Sequence, residues 1–260
     1  MSTLDPKTRT QRGASVLSDM LGMPAPQPTT LLDSVARDFV CADVWSRPGL
    51  DRRARFFVAI ATSACVGGSN KTLEGYIHGA LHLGEITLGE LREAALQVAV
   101  YAGWGIGAAL DEAITRVANT MGLEPVAIEP LQSEPQSAQQ RLEIGQQKFT
   151  QIAVVQAPPP VTPFFDVGIL NFVFGELWTR PGLDQRGRRL VTLACAATSS
   201  ATTPIRSHTY AALATGDITP DEMQEFVLQF AVDAGWPKGA VLQVTVFEMG
   251  KRVANGLPFE

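Results

Sequence analysis

The side chains best suited to acid–base chemistry lie in the second half of this sequence. His208 carries an imidazole, which titrates near neutral pH and can take up or release a proton. Arg186 and Arg188 carry planar guanidinium groups, which can bind a carboxylate through two parallel hydrogen bonds. Glu225 and Asp233 add two carboxyl groups. These five residues are our candidate catalytic residues.

The arginines also have explanations that need no function. On a helix, Arg186 shares a face with apolar residues, so it either reaches solvent from the edge of the core or lines a pocket. Arg188 heads a more polar face, which either lines a cavity or lies on a solvated surface. The same two positions recur earlier in the chain as Arg53 and Arg55, which we interpret as candidate substrate-binding residues.

The two carboxyl groups differ in their surroundings. Glu225 has an earlier counterpart, Glu93, and both are either functional or part of a solvated face. Asp233 lies inside a mostly apolar run, residues 230–235. A buried carboxylate needs a cationic or hydrogen-bonding partner. We therefore hypothesise that Asp233 orients His208 or pairs with an arginine.

The first half offers different residues at the matching positions. Tyr76 occupies the register of His208, and His78 lies two residues further on. These two residues could contribute a wall or a separate site, and we include both as candidate substrate-binding residues. His78 and His82 are four residues apart, but no glutamate or third histidine completes a zinc signature. No metal site is predicted.

A long internal repeat organises these residues. The segment Trp45–Ala64 returns as Trp178–Ala197 after 133 residues, and Gly79–Trp104 returns as Ala211–Trp236 after 132 residues. A period of this length indicates duplicated domains, because solenoid units are about 20–50 residues long. The repeat predicts that both halves share one fold.

The domain boundaries follow from the repeat and from proline content. The segment Leu123–Gln136 is polar and interrupted by prolines, as is typical of a linker. We predict a first domain over residues 1–122, a linker over 123–138 and a second domain over 139–260.

Helix caps and glycine stops predict the elements that carry the candidate residues. Hydroxyl, carboxyl and proline residues stand where helices should begin, and glycines where they should end. No segment alternates with the period of a strand. The fold class is therefore all-α. The predicted caps are Asp184 for a helix reaching about Ser200, Thr203 followed by Pro204 at the first helical position, and the Thr87–Glu90 and Thr219–Glu222 capping boxes, with stops at Gly103, Gly216 and Gly235.

Composition excludes several classes of function. The net charge is −5 and no basic stripe appears, so we expect no nucleic-acid partner. No apolar run approaches 18 residues, so we expect no membrane span. The polar N-terminus lacks the apolar core of a secretory signal. Three widely spaced cysteines favour a reducing compartment, and we expect a cytoplasmic protein whose cysteines are small buried residues.

Three motifs in the second half resemble the carboxymuconolactone decarboxylase family of the alkylhydroperoxidase-D-like superfamily. They are WTRPGLDQRGR (Trp178–Arg188), HTYAALATGDIT (His208–Thr219) and EFVLQFAVDAGWP (Glu225–Pro237). The resemblance implies a tandem duplication of an alkylhydroperoxidase-D-like helical domain. It also implies that Trp178, which opens the first motif, contributes to substrate binding.

The resemblance implies a decarboxylase or related carbon–carbon lyase that needs no cofactor. Its substrate would be a small carboxylated lactone or keto acid, bound by arginine, with histidine as general acid or base. The peroxidases of the superfamily use a Cys-x-x-Cys pair upstream of the histidine. Those positions hold Ala201 and Pro204 here, and Ser69 and Thr72 in the first half, so a thiol peroxidase is disfavoured.

Two other functions and one assembly remain open from the sequence. An isomerase or hydratase could use the same acid–base residues, and a non-catalytic binding or scaffold protein would also fit the missing histidine of the first half. We expect any working site to centre on the second half. Family subunits of about half this length form hexamers, so the resemblance implies a homotrimer of this chain.

Overall fold

Helices form the whole of the secondary structure in residues 5–132, 134–199 and 201–260, which are the residues that the computed structural model describes. No β-strand occurs in these ranges, so the all-α prediction is confirmed. The first half contains α1 (Pro6–Leu21), α2 (Leu31–Val35) with a π-helical continuation (Ala36–Trp45), α3 (Arg52–Val66), α4 (Asn70–His82), α5 (Leu88–Ala102) and α6 (Trp104–Thr120).

The second half presents the same succession of helices, apart from the short α2. Residues 123–132 carry no regular secondary structure and connect the two halves. The second half contains α7 (Ala138–Ala153), a π-helical segment (Phe164–Phe174), a short 3₁₀ turn (Leu177–Thr179), α8 (Gln185–Ser199), α9 (Thr202–Ala214), α10 (Pro220–Ala234) and α11 (Trp236–Ala254). The sequence analysis did not anticipate the two π-helical segments.

Most of the predicted caps are present. Both capping boxes form in both directions, with the threonine oxygen accepting from the third helical N–H and the glutamate accepting from the threonine N–H. Asp184 caps α8 by accepting a hydrogen bond from the Gly187 N–H at 2.6 Å. Gly216 follows α9 with a φ of 73°, the left-handed conformation expected of a helix stop. The predicted end of α8 at Ser200 lies outside the described residues.

The predicted start of α9 is wrong. The helix begins at Thr202 after Ala201, so Pro204 occupies its third position and Thr203 is not the cap. Proline is tolerated there because the first-turn N–H groups have no partner within the helix. A proline near a helix start therefore marks the first turn without fixing its first residue.

The two halves are held together by one shared hydrophobic core. Helix α3 of the first half packs against α8 and α10 of the second, and α5 packs against α8. Phe57 and Ile60 from one half and Phe226 and Phe230 from the other belong to the same buried cluster. Full burial of each such side chain contributes about 1.5–3 kcal/mol. This core brings polar residues of the two halves into contact.

Each N-terminal helix approaches its π-helical segment closely through a glycine. A Cβ at Gly13 would lie 2.0 Å from the carbonyl oxygen of Arg37, and one at Gly145 would lie 1.8 Å from that of Leu170. Only glycine permits this backbone contact. The two glycines thus fix equivalent helix pairs in the two halves.

Candidate active site

Two clusters of arginine and glutamate cross the boundary between the halves. Glu225 accepts hydrogen bonds from Arg47 at 2.6 Å and from Arg55 at 2.9 Å. Glu93 accepts in the same way from Arg180 at 2.7 Å and from Arg188 at 2.9 Å. Each glutamate is therefore neutralised by arginines of the opposite half.

These contacts separate residues that the sequence analysis grouped together. Arg188 and Glu225 lie in different clusters. The side chains of Arg188 and Arg55 are both buried, and each forms an ion pair with the glutamate of its own cluster. Burial raises the pKa of Glu93, but hydrogen bonds from Arg180 and Arg188 outweigh it and hold the pKa below its ordinary value. Both clusters consequently stabilise the joint between the halves.

The two clusters differ in their second partners and in their exposure. In the Glu93 cluster, the Gln97 amide donates to the Thr192 hydroxyl at 2.8 Å. In the Glu225 cluster the matching glutamine is Gln229, but Ala59 occupies the position of Thr192, and Gln229 Nε2 has no partner in the described part of the chain. Arg180 also donates to the Pro130 carbonyl of the connecting segment and is 10% exposed, against 49% for Arg47.

Arg53 and Arg186 form a second layer at the helix N-termini. Arg186 binds Glu222 at 2.6 Å and Asp51 at 2.8 Å. Arg53 binds Glu90 at 2.7 Å and Asp184 at 3.3 Å. The partners are cap residues of α3, α5, α8 and α10, so both arginines join helix ends. The structure does not bring Arg186 to His208.

His208 instead meets residues that lie far away in the sequence. Its ring makes an edge-on contact with Tyr101 of α5, with ring centroids 5.4 Å apart. The Trp178 indole N–H donates to the Tyr101 hydroxyl at 2.8 Å. The guanidinium of Arg189 lies over the Trp178 ring at 5.4 Å. We call Tyr101, Trp178, Arg189 and His208 the Arg189 site.

Arg189 is the charged group of this site. Its side chain is completely buried, its Nε donates to Asp217 at 3.1 Å, and its Nη2 donates to the Ile152 carbonyl at 2.8 Å. Its Nη1 has no hydrogen-bond partner among the described residues. A buried guanidinium with an unused donor offers a binding point for an anion.

The local electrostatics set the protonation of the neighbouring groups. Burial, together with the nearby charge of Arg189, lowers the pKa of His208 to about 3. Burial raises the pKa of Tyr101 to about 12. At neutral pH the imidazole is therefore uncharged and the phenol keeps its proton.

The equivalent site combines residues of the first half with Asp233 of the second half. The Tyr76 hydroxyl donates to Asp233 Oδ1 at 3.1 Å, and the Trp45 ring stacks on Tyr76 with centroids 5.5 Å apart. Asp233 Oδ2 is buried without a partner in the described ranges. Phe56, which matches Arg189, packs against Trp45 at 4.8 Å. We call Trp45, Phe56, Tyr76 and Asp233 the Asp233 site.

The hypothesis that Asp233 pairs with His208 or an arginine is wrong. Helix α10 packs on α3 of the other half, so Asp233 meets Tyr76 of α4. Burial raises the pKa of Asp233 to about 7, although the hydrogen bond from Tyr76 and the nearby Ser63 hydroxyl oppose the shift. Asp233 therefore exchanges a proton near neutral pH.

Part of the second half is similar to a known protein family. Residues 165–246 match the sequence model of the Carboxymuconolactone decarboxylase family. The matched range includes Trp178, Arg189, His208 and Asp233, whereas Tyr101 lies outside it.

Two curated relatives match part of the chain. The 4-carboxymuconolactone decarboxylase of Acinetobacter baylyi (strain ATCC 33305 / BD413 / ADP1) is 38% identical over 69 residues, which cover 26% of this chain and 51% of that protein. The nitrosuccinic acid decarboxylase npaB of Metarhizium robertsii (strain ARSEF 23 / ATCC MYA-3075) is 38% identical over 79 residues, which cover 29% of this chain and 54% of that protein. The chain spans about half the length of the curated relatives it matches.

The histidines His78 and His82 of the first half lie apart from both sites. His78 stacks on His82 with ring centroids 5.6 Å apart. Tyr76 faces the opposite way, because residues two apart on a helix do not share a face. Tyr76 and His78 therefore do not form one site. Among the described residues no group of three or more potential metal ligands occurs, and no helix there is long and apolar enough to cross a membrane.

Arg189 is not among the residues predicted from the sequence, and neither is the contact of Tyr101 with His208. Arg188, the residue just before Arg189, was predicted instead, but its side chain belongs to the Glu93 cluster and not to the Arg189 site. A usable signal was available, because the repeat aligns Arg189 with Phe56. An arginine at a position where the other copy has a buried aromatic residue indicates a charged group inside the core.

Proposed function

We propose that this protein is a decarboxylase, or a related carbon–carbon lyase, that acts on a small carboxylated lactone or keto acid at the Arg189 site. The observation that carries the proposal is the unused Nη1 of a buried arginine beside Trp178, Tyr101 and His208. Both curated relatives are named as decarboxylases of acids, which supports the same reaction class.

Arg189 binds a carboxylate of the substrate. Burial lowers the pKa of this guanidinium, and the charge and hydrogen bond of Asp217 only partly offset that effect. A substrate carboxylate that accepts from Nη1 supplies further negative charge in a poorly solvated position, where a charge-assisted hydrogen bond is strong. The Trp178 ring forms an apolar wall beside it.

Loss of carbon dioxide then breaks the bond between the departing carboxylate and its neighbouring carbon. The electron pair moves toward the adjacent carbonyl, and the carbon must take up a proton. A bound substrate anion raises the pKa of His208 from its low value, because a nearby negative charge favours the imidazolium. His208 then delivers the proton as a general acid. Trp178 holds the Tyr101 phenol in place beside it.

The test is release of carbon dioxide from carboxylated lactones and keto acids by wild-type protein and by Arg189→Lys. Lysine keeps the charge but loses the fork of donors, and we expect kcat/KM to fall by roughly 100-fold or more. Arg92→Met is the matched control, since Arg92 pairs with Asp111 on the surface. Full activity of Arg189→Lys in a folded protein would contradict the proposal.

The Asp233 site favours a second candidate, a proton-transfer reaction such as isomerisation or hydration. An aspartic acid that titrates at about 7 beside a tyrosine is suited to moving protons without loss of carbon. The two candidates differ in their products. Conversion of substrate without carbon dioxide release, abolished by Asp233→Asn and retained by Arg189→Lys, would identify the second. Binding without any turnover would identify the scaffold alternative.

A homotrimer is the proposed assembly. Helix α11 exposes Trp236, Val241, Val244 and Phe247 to between 57% and 67%, which leaves an apolar stripe uncovered in the single chain. Light scattering should give a mass near three times 27.9 kDa. A monomer at micromolar concentration would contradict this proposal.

A further inference from the structure

Two cysteines from different halves meet where helix α3 packs against helix α8. Cys65 lies near the end of α3 and Cys195 lies in α8, and their sulfur atoms are 3.7 Å apart. They are separated by 130 positions in the sequence, so nothing in their spacing announces the contact. Both are free thiols in the structure. Cys41 and Cys195 are buried, as expected from the sequence, whereas Cys65 is only half-buried.

The geometry suits a disulfide between the halves. The sulfurs of a disulfide lie about 2.05 Å apart, so closure requires an approach of about 1.7 Å from the observed separation. Rotation of the two short side chains can supply a movement of this size. Helices α3 and α8 are packed directly on each other, which holds the two cysteines in register.

The two thiols have different surroundings. Cys65 is half-buried, whereas Cys195 is completely buried. The contact with Cys195 lowers the pKa of Cys65, and the positive charge of Lys238 acts in the same direction. The same contact and burial raise the pKa of Cys195. Lys238 is held nearby by a hydrogen bond to the Thr198 carbonyl at 3.3 Å.

We propose that Cys65 and Cys195 form a hydroperoxide-reactive dithiol that closes a disulfide across the two halves. The Cys65 thiolate attacks the distal oxygen of the hydroperoxide and the O–O bond breaks, which leaves Cys65 sulfenic acid and an alkoxide. The proton that the Cys65 thiol lost on ionising returns to this leaving group, which departs as an alcohol, or as water from hydrogen peroxide. The Cys195 thiol then displaces water from the sulfenic acid and forms the disulfide. The two thiols lose two electrons, and the hydroperoxide gains them.

A small oxidant is favoured by the burial of the pair. Cys65 is the more accessible of the two thiols because it is half-buried, whereas Cys195 is completely buried. Cys41 serves as an internal comparison, because it is buried and burial raises its pKa to about 11. Thiols of high pKa react slowly with peroxides, since the thiolate is the nucleophile.

The experiment exposes full-length protein to stoichiometric hydrogen peroxide, alkylates the remaining thiols, and analyses tryptic peptides without reduction. Trypsin places the cysteines on separate peptides, residues 38–52, 56–71 and 190–206. We expect the second and third peptides to appear joined, with a mass two hydrogens below their sum. Dithiothreitol should separate them, and peptide 38–52 should stay alkylated.

Single substitutions test the order of events. Cys195→Ser should leave a sulfenic acid on Cys65 that dimedone traps, whereas Cys65→Ser should abolish peroxide consumption by the pair. Cys41→Ser is the matched control and should cross-link like wild type. Full alkylation of Cys65 and Cys195 after peroxide treatment, or oxidation of both to sulfinic acids without a joined peptide, would overturn the proposal.

Discussion

The substitution Asp233→Asn should show how much free energy of unfolding the protein loses when the buried carboxyl group of Asp233 ionises. Burial disfavours the carboxylate and raises the pKa of Asp233 from its ordinary value of 3.8 to about 7 in the folded protein. Between these values the folded protein binds more protons than the unfolded chain. Stability therefore falls as the pH rises from about 4 to about 7.

The size of this effect follows from the shift. A difference of about three pKa units corresponds to about 4 kcal/mol of unfolding free energy, at 1.36 kcal/mol for each unit. Asparagine has nearly the same shape and can still accept the hydrogen bond from Tyr76, but it does not ionise. The free energy of unfolding of Asp233→Asn should therefore exceed that of wild type increasingly as the pH rises from 4 to 8.

Urea denaturation at pH 4, 6 and 8 measures this difference directly. Titration of other groups affects both proteins equally and cancels in the comparison. Tyr76→Phe serves as a control, since it removes the hydrogen bond but leaves the carboxyl group. A constant difference between Asp233→Asn and wild type across this pH range would refute the reasoning.

Three further outcomes follow from the contacts. The pKa of His208 is lowered from 6.5 to about 3 in the folded protein, so between these values the unfolded chain binds more protons and wild type loses stability as the pH falls. His208→Gln should remove this loss, which unfolding at a series of pH values measures. Glu93→Gln should lower the free energy of unfolding, measured by urea denaturation, by about 3–5 kcal/mol, because the buried Arg188 loses its counter-charge. Glu225→Gln should lower it by less, because Arg47, one of the two arginines bound to Glu225, is 49% exposed. Arg186→Met should cost about 1 kcal/mol or less by the same measurement, and equal losses in Arg186→Met and Glu93→Gln would contradict this ranking.

Local sequence signals predicted most of the helix caps, but neither the π-helical segments nor the pairing of the helices. The capping boxes at Thr87 and Thr219 are local chemistry, and local hydrogen bonds can be read from residue spacing. The contact of Glu93 with Arg188 spans 95 positions and depends on α5 packing against α8 of the other half. A repeat shows which residues correspond, but it does not show whether they meet within a copy or between copies.

The candidate sites were therefore predicted only in part. His208, Trp178, Tyr76 and Asp233 were named from the sequence, and the structure places two of them in each site. Arg189 was not predicted because it directly follows Arg188, and the contact of its guanidinium with the Trp178 ring depends on the packing of distant segments. The functional roles of these residues stay predictions until the substitutions above are measured.

The reciprocal joint between the halves has a consequence for how the two sites can evolve. In a symmetric dimer of identical subunits, every substitution enters both sites at once, so neither can change without the other. In this chain one site contains Tyr101 and His208, and the other contains Asp233 and Tyr76 at the corresponding positions. Because both halves belong to one chain, a substitution can enter one site without entering the other. The shared core nevertheless requires both halves to keep the same helix packing.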